Sequence, residues 1–111
     1  MKENEIQNLI LQYLQFQRGF FWRNNSTGIY DPTIKGFRKL PKYAIRGVSD
    51  ILGIIPSDDD NCFGRFVAIE VKSPKGKVTK EQKDFLDIIN VNGGLGFVAR
   101  SIEDVKEKIK K

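Results

Sequence analysis

"GVSDILGIIP", residues 47–56, and "FVAIEVKSPKGK", residues 66–77, decide how this chain is read. Both begin as runs of β-branched and large apolar residues, the composition of strands. Both carry charges where a buried strand should have none: Asp50 in the first, Glu70 and Lys72 in the second. A carboxylate buried without a partner is costly. Side chains alternate faces along a strand, so Glu70 and Lys72 share one face while Ile69 and Val71 point the other way, into a core. The intervening "SDDDNCFG" (57–64) is turn-forming, so strands over 48–55 and 65–72 are expected to pair as an antiparallel hairpin. That pairing can set Asp50 beside Glu70. Two converging carboxylates repel unless a cation lies between them. A divalent ion with oxygen ligands relieves the repulsion, and Lys72 adds a charge able to hold an attacking water or steady a phosphate. The ordinary alternative is a half-exposed face on which Glu-x-Lys is solvated surface.

Working outward, residues 3–18 read as a helix, because Ile6, Leu9, Ile10, Tyr13 and Leu14 recur at helical spacing, and Gly19 ends it. "FFWR" (20–23) reads as a strand. Residues 24–47 read as a long loop, with a short hairpin around "GIYDPTIKGFRKL". Thr79, with Gln82 three residues on, forms a capping box that opens a helix over 80–92, with Phe85, Leu86, Ile88 and Ile89 inside. Gly93 and Gly94 stop it. "LGFVAR" (95–100) is a last strand, and Ser101 caps a final helix carrying Ile102, Val105 and Ile109. The order is α-β-β-β-α-β-α, an α/β domain.

The 111 residues suit one domain with one modest core. No stretch approaches the roughly 20 apolar residues of a membrane span, and the N-terminus lacks a signal-peptide pattern. A cytoplasmic setting is the expectation. One cysteine, Cys62, excludes an internal disulfide and a cysteine-based zinc site, and the absence of histidine removes every His-dependent mechanism. A metal would therefore take oxygen ligands, which favours magnesium or manganese. The net charge of +5 makes nucleic acid a candidate partner.

Taken together in this order, "ENEIQNLILQYL", "GVSDI" and "AIEVKSPKGKVTKEQKDFL" resemble the PD-(D/E)xK nuclease superfamily. The closer resemblance is to its virus-type replication-repair nuclease (VRR-NUC) family, in the stand-alone form found in phages, over residues 1–111. It implies a restriction-endonuclease-like core, a mixed central sheet flanked by helices. It also implies a metal-dependent DNA phosphodiesterase using Mg2+ or Mn2+ and no small-molecule cofactor. Asp50 and Glu70 would ligate the metal, with the Val71 carbonyl a third ligand. Lys72 would be the catalytic lysine, and Gln82 would match the family's glutamine near the site. Ser49 departs from the proline or small residue the pattern places before the aspartate. The family also sets a glutamate on the first helix. Glu3 lies nearer the inward face than Glu5 and is the preferred match, as an outer ligand or water-positioning group.

Basic residues crowd the two loops expected beside the site: Arg23, Lys35, Arg38, Lys39, Lys42 and Arg46 in one, and Lys75, Lys77, Lys80 and Lys83 in the other. With Asn24 and the interleaved Tyr30, Phe37 and Tyr43, they suit phosphate contacts that position DNA without reading bases. Asp58, Asp59 and Asp60 read as a solvated turn. Stand-alone members of the resembled family are four-way-junction resolvases acting as symmetric dimers. Branched DNA is thus the expected substrate and a homodimer the expected assembly, with Leu11, Phe16 or the aromatic loop as candidate contact surface. The alternatives are a flap, nicking or restriction-type nuclease, a catalytically silent nucleic-acid-binding module, and a protein-interaction domain.

Overall fold

The computed structural model of the protein describes residues 1–24, 30–31, 33, 36–37, 42–57 and 63–109. Along the chain lie α1 (Glu3–Leu14), β1 (Phe20–Arg23), β2 (Tyr30–Asp31), β3 (Gly36–Phe37), β4 (Ile51–Pro56), β5 (Gly64–Val71), α2 (Lys80–Val91), β6 (Leu95–Ala99) and α3 (Ile102–Lys108). The expected order is present, and the hairpin anticipated in the long loop appears as β2 and β3, with Tyr30 opposite Phe37.

The main sheet runs β1-β4-β5-β6. β4 pairs antiparallel with both β1 and β5, and β5 pairs parallel with β6. A parallel pair needs a crossover, which α2 supplies. The apolar faces then sort by alternation. Val67, Ile69 and Val71 of β5 join Ile51, Phe21, Phe97 and Ala99 in a core closed by Ile6, Ile10 and Leu14 of α1 and by Val105 and Ile109 at α3. α2 packs on β5 and β6 from the other side. There Gly96, paired with Ala68, lies so near the helix that a Cβ would meet Leu86 atoms at 3.1–3.3 Å.

Several element boundaries and the burial of Ile88 differ from the sequence reading. α1 ends at Leu14, not at residue 18, because residues 15–18 bury nothing in the core and Phe16 stands 80% exposed. Gly19, with φ +119, turns the chain into β1 instead of capping the helix. β4 begins at Ile51 and β5 covers 64–71, so Asp50 and Lys72 lie just outside the paired strands. α2 stops at Val91, and its inward face is narrower than its apolar content suggests: Leu86 is buried, while Ile88 is 58% exposed. The helix sits on a flank of the sheet and needs only one stripe. Leu11 is partly buried and packs against the core, so Phe16 is the more exposed of the two candidate contact residues on this segment. Both predicted caps are present, with Thr79 and Gln82 in a reciprocal capping box and Ser101 accepting from the Asp104 amide.

Among the described residues no helix is long and apolar enough to cross a membrane. Asp58, Asp59, Asp60 and Cys62 lie outside the described residues.

Candidate active site

The β4–β5 register carries the chemistry. Ile51 faces Ile69, so the next pair outward sets Asp50 against Glu70. Asp50 does not continue the ladder. Its carboxylate Oδ2 accepts from the Val71 amide at 2.9 Å, and its carbonyl accepts from the Asn24 amide at 2.7 Å. The aspartate thereby ties the ends of β1 and β5 to its own segment. Asn24 reinforces this, its side-chain amide donating to the Ser49 carbonyl at 3.4 Å.

Glu70 is only 2% exposed, and its Oε1 has no hydrogen-bond partner among the described residues. Lys72 is 8% exposed, with its Nζ 4.0 Å from Glu70 Oε2. The Glu70 carboxyl is pushed up from 4.5 to about 8, with burial the largest influence. The hydrogen bond and the negative charge of Asp50 push the same way, as does the charge of Glu3, while Lys72 opposes them. One ammonium group therefore does not balance the acids around it.

Glu3 opens α1, and its Oε2 lies 3.4 Å from where a Cβ on Gly76 would stand, which sets it beside the loop following Lys72. Glu5 is exposed. The helix glutamate that approaches the acids is thus Glu3. Gln82 is engaged structurally, since its Oε1 accepts from the Thr79 amide at 2.9 Å and closes the capping box. Its amide nitrogen is left for work elsewhere.

Two features hold this arrangement and were not legible as site residues. Arg100 follows β6, whose Ala99 pairs with Val71. Its Nη1 donates to the carbonyls of Ser73 at 2.8 Å and Gly76 at 2.6 Å, pinning the loop just beyond Lys72. A lone arginine at a strand end gives no signal until the parallel pairing is known. Arg100→Ala should cost about 1.5–3 kcal/mol, the scale of a charge-assisted hydrogen bond, and should lower turnover, as denaturant unfolding and cleavage assays would show. The second feature is Gly47. It has φ +78, and a Cβ there would lie 2.4 Å from the Glu81 carbonyl group. Backbone of the Asp50 lead-in thus rests on backbone of α2. Gly47→Ala should lose at least about 2 kcal/mol, from left-handed strain and overpacking together. Urea unfolding measures this, and a loss below a few tenths would contradict the contact.

The predicted DNA contacts divide. Lys42, Arg46, Lys75, Lys77 and Lys80 are exposed, Lys42 lying over the Tyr43 ring at 5.2 Å and Lys80 pairing with Asp84 at 2.9 Å. Arg23 alternates onto the core side of the sheet, where it hydrogen-bonds Asn8 of α1. Asn24 is occupied with the Asp50 segment. Lys35, Arg38 and Lys39 lie outside the described residues, as do the side chains of Tyr30 and Phe37.

The donor set fits a divalent cation with oxygen ligands. Asp50 and Glu70 are adjacent carboxyls, one of them with a buried oxygen that has no partner among the described residues. Among the described residues no three Asp, Glu, His or Cys side chains gather closely enough to hold an ion by themselves.

The VRR-NUC domain family model matches residues 1–103. A solved structure described as a VRR_NUC domain protein superposes with a TM-score of 0.65 at 18% identity, covering 97% of this chain and 84% of its own. At that identity the likeness is one of fold. No curated protein matches the chain.

Proposed function

The chain belongs to the VRR-NUC family, whose members are of nuclease type and act in DNA processing, and from that premise we propose that it is a divalent-metal-dependent DNA endonuclease acting on branched DNA. The observation that supports this most is the pairing of Asp50 with a buried Glu70 whose Oε1 has no partner among the described residues, with Lys72 4.0 Å away. Asp50 and Glu70 would hold Mg2+ or Mn2+ with the Val71 carbonyl as third ligand. A bound ion would polarise the scissile phosphate and lower the pKa of a water.

The chain's own residues do the rest. Lys72 orients the attacking water and offsets charge growing on the phosphate. Glu3 stands as an outer acceptor for water, and the Gln82 amide nitrogen is a donor fixed in place by its cap. Exposed Lys42, Arg46, Lys75, Lys77 and Lys80 supply phosphate contacts, a use consistent with the +5 charge. Attack by water with a 3′-oxygen leaving group gives 5′-phosphate and 3′-hydroxyl ends. A domain of this size has little surface for reading sequence, so structure in the DNA is the more fitting target. Two copies related by a twofold axis would make the symmetric pair of nicks that a four-way junction requires.

The test is incubation with a synthetic four-way junction, a flap and a linear duplex, with magnesium and with chelator. Paired nicks in the junction, dependent on magnesium, are expected. Cleavage that persists in chelator, or cleavage of linear duplex at an equal rate, would overturn the proposal.

A further inference from the structure

The sheet face that bears the acids also bears aromatics that α2 does not cover. Cross-strand partners share a face, and the register aligns Phe20 with Ile54 and Phe66 in one row, and Trp22 with Leu52 and Ala68 in the next. The row after that is Asp50 and Glu70. α2 lies over β5 and β6, which leaves Phe20 68% exposed, Ile54 45% and Trp22 36%. The two rings stand side by side with centroids 5.5 Å apart and planes tilted by 40°. Trp22 lies two strands across and one row along from Glu70, which is about 12 Å at ordinary sheet spacings. That is a few nucleotides of a DNA strand.

Resting on the nuclease reading of the neighbouring acids, we propose that Phe20 and Trp22 form a platform on which unpaired or unstacked bases of the substrate stack while its backbone reaches Asp50 and Glu70. The occupant follows from position and charge. The platform is continuous with the acid pair on one sheet face, in a chain of net charge +5, and every base offers a π-face to an aromatic ring regardless of sequence. Branch points and flaps present such bases, whereas an intact linear duplex does not. The platform thus supplies a physical reason for preferring branched DNA over linear.

Trp22 is the sole tryptophan of the chain, so its fluorescence reports the platform directly. The protein is titrated in chelator with three probes: oligothymidylate, an abasic strand of equal length and charge, and blunt duplex. Oligothymidylate is expected to quench Trp22, with little change from the other two. Phe20→Leu, which keeps the fluorophore and most of the apolar volume, should weaken oligothymidylate binding by roughly five- to a hundredfold, the range for one lost stack. Equal quenching by the abasic strand would assign the contact to phosphates and overturn the platform. So would an unchanged affinity of a correctly folded Phe20→Leu protein, or sedimentation showing a dimer that Phe20→Leu dissociates, which would place the rings between two copies of the chain. Asp50→Asn separates the two proposals: it removes the proposed metal ligand but should keep the quenching, so a failed cleavage assay leaves this readout intact.

Discussion

Lys72→Ala is expected to lower magnesium-dependent cleavage by roughly 10²–10⁴-fold, the usual yield of a positioned proton-transfer or charge-stabilising group, while DNA binding stays within a few-fold of the parent protein. The size of the effect follows from placement. The ammonium group is 8% exposed and 4.0 Å from Glu70 Oε2, so water does little to screen it. Binding should persist because the exposed lysines of both loops are untouched. Lys72→Arg should not restore the rate, since a planar guanidinium cannot occupy the place of a compact ammonium in a closed site. The substitution also removes the one charge that holds the Glu70 carboxyl down, so the variant should need more metal for its residual activity. Single-turnover cleavage and fluorescence anisotropy on the same substrate separate the two quantities, and unchanged turnover would remove Lys72 from the mechanism.

The second large effect is on stability as pH rises. In chelator, Glu70 keeps its proton up to about pH 8 in the folded state, whereas the unfolded chain loses it near the ordinary glutamate value of about 4.3. Between those values the folded state binds more protons, so unfolding becomes easier with every step upward. The metal-free protein should therefore lose stability from about pH 4.5 to about pH 8, by a few kcal/mol in total, and level off above. Glu70→Gln removes the titrating group, so it should flatten this slope and exceed the parent in stability at pH 8. Saturating manganese should also flatten it, because an ion between the acids substitutes for the proton. Urea unfolding at a series of pH values checks all three, and a parent protein whose stability rises over the same window would contradict the burial of Glu70.

Much of the fold is legible because local signals agree with the tertiary structure. Thr79 with Gln82 and Ser101 with Asp104 announce their helices chemically, and alternation along 67–71 names the core face without reference to any partner. What misleads is apolar content taken as burial. Ile88 reads as a core residue, yet α2 is one-sided and leaves it exposed. At the site, Asp50 beside Glu70 could be anticipated from hairpin pairing. The details that hold it could not. Asp50 leaves the strand because its carboxylate takes the Val71 amide, and Arg100 reaches the loop after Lys72 only through the parallel β5–β6 pairing. Both are long-range consequences of topology. Arg23 shows the converse: a basic residue assigned to DNA by its neighbours in sequence is turned by strand parity onto α1.

The central claim is that Asp50 and Glu70 together receive a divalent cation, and calorimetric titration of manganese at pH 7 tests it most directly. With the Glu70 carboxyl at about 8, most molecules carry a proton there at neutral pH, and metal entry must expel it. Titrations in two buffers of different ionisation enthalpy should show close to one proton released per ion bound. Glu70→Gln should bind at least tenfold more weakly and release none. Manganese that binds without proton release, or binds Glu70→Gln as tightly as the parent, would place the metal elsewhere.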